Sequence, residues 1–378
     1  MILDQEQNLT TSNTAIRNKS LQRLHIDFPL FIALLVLLTI GVFVLYSATG
    51  KNMAVVNRQL IHIVIATVAM LAIAQIQPRT IQFWAPWLFL LGIVLLVIVL
   101  LVGDIGKGAQ RWLNLGFFRF QPSEILKLAL PMMLAWYISE LSLPPTGKRI
   151  LTAVFLLTVP TLLVAKQPDL GTALLIASSG FFVLLLAGLK WRTIISVVII
   201  IIASAPLIWS YVLHDYQRGR ILTLLNPGND PLGSGYHIIQ STIAIGSGSL
   251  YGKGWLNGTQ SHLDFLPERS TDFIFAVFSE EFGFIGCMLL LLLYLYIIGR
   301  CLVIANQAQD TFSRLLAGSL TLTFFVYIFV NIGMVSGILP VVGVPLPLIS
   351  YGGTSIVTLM MAFGILMSIQ THRRLIGN

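Results

Sequence analysis

Acidic and basic side chains lie inside or at the ends of strongly apolar segments, where charge is unusual. Glu124 and Lys127 are three residues apart, which places them on one face of a helix. Asp169 and Asp272 each lie where a polar stretch meets an apolar one. A charge inside a bilayer costs at least about 2.5–3.5 kcal/mol, so such groups normally face the protein interior and serve a function. These four residues are the first candidates for catalysis.

Asp272 is the candidate for a general base. It directly precedes the apolar run that begins at Phe273, and Ser270 or Thr271 could cap that helix without it. A carboxylate at the mouth of an apolar helix is poorly solvated, which strengthens it as a base. Its position alone favours proton transfer over a purely structural role.

The other charged residues also have structural interpretations. Glu124 stands in the first helical turn after Pro122, where its carboxylate could simply satisfy free N–H groups. Lys127 could then do no more than pair with Glu124. Asp169 could serve only to cap the helix that follows it.

Glu280 and Glu281 follow Asp272 by about two helical turns. At about 100° per residue, they lie roughly 80° and 180° around the helix from Asp272. They cannot both share its face, so we expect at least one of them to be structural.

Arginines in the connecting segments could bind an anion. Arg111 precedes Trp112, and Arg218 and Arg220 lie in a polar stretch further along the chain. The planar guanidinium group matches phosphate and pyrophosphate oxygens. The alternative is that each arginine only extends towards lipid headgroups. The spacing of cysteine and histidine residues matches no metal site, so no metal ligand is assigned.

The composition indicates that all of these residues belong to a membrane protein. Of 378 residues, 56% are hydrophobic and only 10% are charged, whereas a soluble protein carries about 25% charged residues. A soluble multidomain enzyme and a disordered scaffold are therefore excluded. The formal net charge of +8 does not indicate a nucleic-acid partner, because basic residues in membrane proteins more often fix topology.

Apolar segments suited to crossing a bilayer recur along the chain. A spanning helix needs about 20 mostly apolar residues. Ten segments qualify: 28–48, 58–76, 83–103, 122–139, 150–166, 171–189, 191–213, 273–299, 312–338 and 352–370. We predict an all-α polytopic membrane protein with about ten transmembrane helices. Residues 1–27 form its N-terminal tail, 28–374 a single transmembrane domain and 375–378 a C-terminal end.

The distribution of basic residues orients the chain. Twelve lie in connections on the N-terminal side: Arg17, Lys19, Arg23, Arg79, Lys148, Arg149, Lys190, Arg192, Arg300, Arg314, Arg373 and Arg374. Five lie in the short connections opposite: Lys51, Arg58, Lys107, Arg111 and Arg119. Because cytoplasmic loops carry the excess of Lys and Arg, both termini are predicted to be cytoplasmic.

One connection is much longer than the others and is extracytoplasmic in this orientation. Residues 214–271, between predicted spans seven and eight, are rich in glycine and proline but also contain aromatic and aliphatic side chains. Loops of this length are usually functional or disordered, and the apolar side chains argue against disorder. We predict a partly re-entrant loop with a short interfacial helix from His237 to Ile245.

Several long motifs resemble those of one protein family. Residues 331–355 read NIGMVSGILPVVGVPLPLISYGGTS, a span end followed by a broken loop and a new span. Broken backbone at membrane depth is tolerated only where it is buried or lines a cavity. This segment resembles the C-terminal motif of the SEDS family (shape, elongation, division and sporulation proteins). Further matches are RWLNLGFFRFQPSEILKLAL at 111–130, KQPDLGTALL at 166–175, HDYQRGRILTLLNPGNDPLGSGYHIIQS at 214–241 and GKGWLNGTQSHLDFLPERSTDFIFA at 252–276.

The resemblance, which covers about 28–374 and is strongest to the RodA-type branch, implies an activity. It implies a peptidoglycan glycosyltransferase that polymerises lipid II during lateral cell-wall elongation and maintenance of rod shape. By the family pattern, Asp272 is the catalytic residue, and Glu124, Lys127, Asp169 and Trp112 support catalysis or bind substrate.

The implied chemistry agrees with the residues singled out above. Asp272 would act as general base for an inverting displacement of undecaprenyl pyrophosphate. The leaving pyrophosphate needs cationic stabilisation, for which Arg111, Lys127, Arg218 and Arg220 are candidates. No cofactor is established by the sequence, and a divalent cation is a further candidate for the same role. The implied partners are a class B penicillin-binding protein, which acts as transpeptidase, and the rod elongation complex.

Two alternative functions remain open from the sequence. Polytopic chains with buried charges and broken helices are commonly transporters, so the protein could flip lipid II or carry a small solute. No internal repeat is evident, however, and the acidic residues gather at the outer face rather than at mid-bilayer. A non-catalytic scaffold for the penicillin-binding protein would leave Asp272, Glu124 and Lys127 without a purpose.

Overall fold

The fold is a bundle of apolar helices. The computed structural model describes residues 25–372 except 107–108, 115–118, 141–142, 208, 211–214, 231–232 and 263–267. Residues 1–24 of the predicted tail and the predicted end at 375–378 lie outside the described residues. The bundle helices are α1 (Phe28–Ala48), α2 (Met53–Ala74), α3 (Pro78–Val102), α4 (Pro122–Ser139), α5 (Gly147–Lys166), α6 (Leu170–Leu186), α7 (Trp191–Leu207), α11 (Ile274–Asn306), α12 (Thr311–Val335) and α13 (Gly353–Thr371). The long connection contains α8 (Asp215–Leu225), a 3-10 turn (Pro227–Asn229), α9 (Ser234–Ser247) and α10 (Thr259–His262).

Each predicted apolar segment corresponds to one of the bundle helices. Within the described residues, seven helices are long and apolar enough to cross a membrane: α1, α2, α3, α5, α11, α12 and α13. Two more, α6 and α7, are apolar but shorter. An all-α polytopic membrane protein is therefore confirmed, while a total of about ten spans stays a prediction.

One aspartate, Asp27, both caps the start of α1 and forms an ion pair with α11. The Asp27 carboxylate accepts a hydrogen bond from the Leu30 amide at 3.1 Å and so caps α1. Arg300, near the end of α11, donates to both oxygens of the same carboxylate at 3.1 and 2.5 Å. A side-chain cap stabilises a helix by about 1 kcal/mol. Asp27 therefore starts α1 and also ties it to α11.

Helix α12 lies at the centre of the bundle. It packs against α4, α6, α11 and α13, and α13 also packs along α2. Most side chains of α12 are buried, including polar ones such as Ser319 and Asn331. Polar groups at membrane depth need hydrogen-bond partners within the protein. The buried polar side chains of α12 are therefore expected to bond to the neighbouring helices and segments.

A small antiparallel sheet between α3 and α4 was not predicted. Strands β1 (Asp104–Gly106), β2 (Ala109–Asn114) and β3 (Arg119–Phe120) pair in the order β1-β2-β3. The strands are too short to give a hydrophobic pattern, which is why the all-α prediction omitted them. The sheet matters because β2 carries Arg111 and Trp112.

The long connection packs its backbone against an interruption in α11. Gly283 has a φ of +64°, a conformation that favours glycine, and breaks the helix there. Around this break the Lys253 and Gly254 amides donate to the Glu280 and Glu281 carbonyls, both at 3.0 Å. The helix predicted from His237 to Ile245 is present within α9.

Glu280 holds this connection in place. Its Oε1 accepts hydrogen bonds from Lys253 Nζ at 2.7 Å, the Thr259 amide at 2.8 Å and the Gln260 amide at 3.0 Å. The neighbouring Glu281 accepts a hydrogen bond from Ser47 on α1. Both glutamates are buried and bind other segments of the chain, as expected for structural residues.

Replacing Glu280 by alanine should destabilise the protein markedly. The change leaves the partly buried Lys253 ammonium and two amides without their acceptor, a loss of about 2–4 kcal/mol in the free energy of unfolding. The measurement is thermal unfolding of the purified protein in detergent. Glu140→Ala is the matched control, because that glutamate is exposed; equal shifts for the two variants would contradict the assignment.

Candidate active site

Glu124 and Lys127 form a buried ion pair on α4. Lys127 Nζ lies 2.6 Å from Glu124 Oε1, and the two residues are only 7% and 6% exposed, respectively. Lys127 also lies 5.4 Å from the centre of the Tyr327 ring on α12. The second carboxylate oxygen, Glu124 Oε2, is buried and has no hydrogen-bond partner within the described part of the chain. The pair is thus formed as expected but leaves one acceptor for a further ligand.

A large apolar cavity extends alongside this pair. Its volume is about 1080 Å³, and α2, α3, α4 and α13 form its walls. The lining is mostly aliphatic, with Glu124, Trp112 and His62 among its few polar or amphipathic residues. The lining residues extend from Gly353, at the start of α13, to Ile365, about three helical turns further along, so the cavity runs along that helix as a groove. Such a groove suits a long hydrocarbon chain.

Asp169 connects the small sheet to the starts of two helices. Its Oδ1 accepts a hydrogen bond from the Thr172 amide at 3.2 Å and so caps α6. Its Oδ2 accepts one from Gln121 Nε2 at 3.0 Å and lies 3.7 Å from Arg111 Nε. The capping interpretation is therefore correct, and Asp169 also contacts Arg111.

Arg111 lies against the turn that precedes α6. Its Nη2 donates to the Pro168 carbonyl at 2.5 Å, and its Nε to the Gln167 carbonyl at 3.4 Å. The arginine side chain is partly exposed, at 30%. Its guanidinium group is therefore fixed at one edge and accessible to an incoming anion.

Asp272 lies two residues before α11 and is partly exposed. A methyl group placed on Gly343 would lie 3.4 Å from Asp272 Oδ2, so the broken segment between α12 and α13 passes beside this carboxylate. The same segment reaches the start of α6, because a methyl group on Gly171 would lie 2.7 Å from the Val342 carbonyl. Residues 342–344 therefore connect the surroundings of Asp169 and Asp272.

His237 on α9 lies beside the same helix start. Its ring stacks on Phe273 with centroids 5.5 Å apart. Burial lowers the pKa of His237, which the nearby Glu268 and Asp230 carboxylates oppose. The imidazole is thus uncharged at neutral pH and packs on the residue that follows Asp272.

The remaining predicted arginines are placed differently. Arg218 donates to the Ser210 carbonyl at 2.9 Å and lies 3.5 Å from the Asp215 carboxylate. Arg220 lies on the same helix, α8, which packs mainly on the 3-10 turn and α9. Arg218 therefore pairs within its own segment, unlike Arg111.

Sequence reasoning missed several residues of the site. Gln121, Tyr327 and Asn331 contact Asp169, Lys127 and the Asp272 backbone. Gln121 and Asn331 fall within the motifs at 111–130 and 331–355, which was the available signal. Among the described residues, no three His, Cys, Asp or Glu side chains are grouped as metal ligands.

The chain belongs to a known family. The family model described as cell cycle protein FtsW/RodA/SpoVE matches residues 25–375, which confirms the resemblance to SEDS proteins. The chain is 55% identical to the peptidoglycan glycosyltransferase MrdB of Escherichia coli strain K12, over 94% of this chain and 96% of that protein. It is 36% identical to the stage V sporulation protein E of Bacillus subtilis, over 92% and 98% of the two chains.

Solved structures share the fold. A chain in a structure described as "Structural coordination of polymerization and crosslinking by a peptidoglycan synthase complex" aligns with a TM-score of 0.81 and 30% identity, covering 92% of this chain and 99% of that one. The rod shape determining protein RodA of Thermus thermophilus aligns with a TM-score of 0.69 and 27% identity, covering 91% and 96%.

The two roles of Asp169 can be separated by substitution. Asparagine caps helices as well as aspartate but loses the contacts of Oδ2 with Gln121 and Arg111. Asp169→Asn should therefore cost less stability than Asp169→Ala, which also loses the cap, worth about 1–2 kcal/mol in the free energy of unfolding. Thermal unfolding in detergent measures both. Asp310→Ala, which removes the comparable cap of α12, calibrates the cost of a cap alone. An asparagine variant as unstable as the alanine variant would contradict the capping role.

Proposed function

We propose that this protein polymerises lipid II into glycan strands at the bacterial plasma membrane, as a peptidoglycan glycosyltransferase of cell elongation. The main support is the apolar groove of about 1080 Å³, which is lined by Glu124 of the buried Glu124–Lys127 ion pair. A substrate with a long polyprenyl chain and a charged, sugar-bearing head matches both parts of that arrangement. The identity to a glycosyltransferase over nearly complete chains supports the same conclusion.

Asp272 acts as the general base in this proposal. A hydroxyl group of the acceptor sugar attacks the anomeric carbon of the donor, and its proton passes to the Asp272 carboxylate. The new glycosidic bond forms as the bond from the anomeric carbon to pyrophosphate breaks, and undecaprenyl pyrophosphate leaves as an anion. A single displacement inverts the configuration of the donor without a covalent intermediate.

Arg111 is the favoured group for stabilising the leaving pyrophosphate. Its guanidinium group is held by the carbonyls that precede α6 and by Asp169, yet it remains partly exposed. Lys127 is closely paired with Glu124, so its charge is already largely compensated. Arg218 already pairs with Asp215 and with the Ser210 carbonyl, and Arg220 stays a second candidate on the same helix. The described residues offer no ready ligand set for a divalent cation, so no step is assigned to one.

Glu124 and Trp112 are proposed to contact the head of the lipid substrate. Both line the groove, and the buried Glu124 Oε2 has no partner within the described residues. A buried acceptor of this kind is costly to leave unsatisfied, so it would accept a hydrogen bond from a sugar hydroxyl or amide group. The Trp112 ring offers an apolar face against which a sugar ring can pack.

The membrane orientation follows from the basic residues. Their excess on the N-terminal side supports our proposal that both termini are cytoplasmic and that Asp272 faces the extracytoplasmic side. That face is where a class B penicillin-binding protein would crosslink the product, within the rod elongation complex. The likeness to a chain of a peptidoglycan synthase complex supports such a partner.

Substituting the general base tests the proposal directly. Asp272→Asn keeps the size of the side chain but removes the proton acceptor, so polymerisation of labelled lipid II should fall by about 10²–10⁴-fold. Product length is resolved by electrophoresis. Asp215→Asn, at the fully exposed start of α8, should remain active. Polymer of normal length and amount from the Asp272 variant would contradict the role. Transport of lipid II without any polymer from the native protein would instead favour a flippase.

Filling the groove should impair use of long-chain substrate. Leu88 lines the groove on α3, and Leu88→Trp would obstruct the polyprenyl chain and raise KM for lipid II by about tenfold, equal to about 1.4 kcal/mol. A short-chain lipid II analogue should be affected much less. Leu90→Trp, on the exposed face of the same helix, is the control. Equal effects of the two tryptophans, or on the two chain lengths, would contradict the groove assignment.

A further inference from the structure

Three consecutive backbone carbonyls just before α11 each accept a hydrogen bond. The donors lie on the end of α12 or in the broken segment between α12 and α13. The Ser270 carbonyl accepts from the Tyr351 amide at 2.8 Å. The Thr271 carbonyl accepts from Ser350 Oγ at 2.6 Å. The Asp272 carbonyl accepts from Asn331 Nδ2 at 2.8 Å. A hydrogen bond on every residue of a stretch outside any regular element fixes that stretch closely.

Asn331 links the backbone of Asp272 to the segment that passes beside the Asp272 carboxylate. The same Nδ2 donates to the Val344 carbonyl at 2.7 Å. Gly343, the preceding residue, is the one that approaches Asp272 Oδ2. A single fully buried amide group therefore sets the spacing between the backbone of Asp272 and the wall that its carboxylate faces.

The side chain at position 331 makes these two bonds at a cost. Its Oδ1 atom is buried and has no hydrogen-bond partner within the described residues. An unsatisfied buried acceptor costs about 1–3 kcal/mol. A purely apolar side chain would avoid that cost, so the two donated bonds are what an asparagine supplies at this place.

The holding segment is itself fixed from other helices. Tyr294 on α11 donates its hydroxyl to the Pro347 carbonyl at 2.7 Å. Gln59 on α2 donates to the Ser350 carbonyl at 3.2 Å. Ser350 Oγ also accepts from the Leu346 amide at 2.8 Å. The groups that hold residues 270–272 are therefore anchored by contacts that do not involve those residues.

We propose that Asn331 and Ser350 are positioning residues that set the location of the Asp272 carboxylate. The inference rests on the proposed role of Asp272 as general base. Neither residue touches the reacting atoms; both act through the backbone of 271–272. A displacement of about 1 Å in a catalytic group can cost about 10²-fold in rate.

The test is steady-state polymerisation of labelled lipid II by the full-length protein and its variants. Asn331→Leu keeps a similar volume but removes both donated bonds, so kcat should fall by about 30–100-fold while KM changes less than about threefold. Ser350→Ala removes one of the three carbonyl bonds and should lower kcat by about 5–10-fold. Ser319→Ala is the matched control, because Ser319 lies on the same helix as Asn331. Its buried hydroxyl donates to the Ser179 carbonyl at 2.7 Å, and the kcat of this variant should stay within about twofold of the native value.

A second measurement separates positioning from general stability. Asp272→Glu retains a carboxylate but already displaces it, so adding Asn331→Leu should lower the remaining rate by less than about threefold. Equal losses from Asn331→Leu in both backgrounds would mean that the residue does not act through Asp272, and would overturn the inference.

The outcomes also distinguish the inference from the proposed function. If Asp272→Asn is inactive but Asn331→Leu keeps its kcat within about threefold, the positioning role fails and the general base stands. If Asp272→Asn is fully active, the proposed function fails. Should Asn331→Leu not fold, as judged by thermal unfolding, Ser350→Ala decides: a kcat within about twofold of the native value overturns the inference.

Discussion

Backbone polar groups at membrane depth must find partners within the protein, and this requirement shapes the region between α12 and α13. The broken segment cannot satisfy its own amides and carbonyls as a helix does. Tyr294, Gln59 and Asn331 supply side-chain hydrogen bonds to its carbonyls. Once anchored in this way, the segment becomes a rigid support, and it holds the residues that precede α11. The geometry of Asp272 is therefore a consequence of how a break in the helical bundle is satisfied.

The buried charges obey the same requirement but divide into two groups. Glu280 with Lys253, and Asp27 with Arg300, each join distant segments and act in assembly of the fold. Glu124 with Lys127 is local to one helix and leaves an acceptor in the wall of the groove. Glu280 Oε2 is likewise buried without a hydrogen-bond partner within the described residues, but Glu280 does not line the groove. A pair that joins no segments contributes little to assembly of the fold. That contrast is why Glu124 belongs with the substrate site and Glu280 with the scaffold.

Local features of the chain were predictable, whereas long-range pairings were not. The apolar run from Phe28 to Ala48 coincides with α1, and spacing alone indicated the pairing of Glu124 with Lys127. Asn331 lies 59 residues from the Asp272 carbonyl that it binds, so only the packing of α12 against α11 reveals the contact. The sheet carrying Arg111 escaped prediction because its strands are too short to show a period. The motif at 331–355 identified the right segment, but its partners required the fold.

In the proposed mechanism one carboxylate, that of Asp272 just before α11, removes the proton from the attacking hydroxyl. The most direct test is the dependence of kcat on pH for the native protein and for Asp272→Asn. Native kcat should fall on acidification with the slope of a single protonation, and the residual rate of the variant should lack this acid limb. An acid limb of the same slope and position in the variant would contradict the claim, because the titrating base would then be another group.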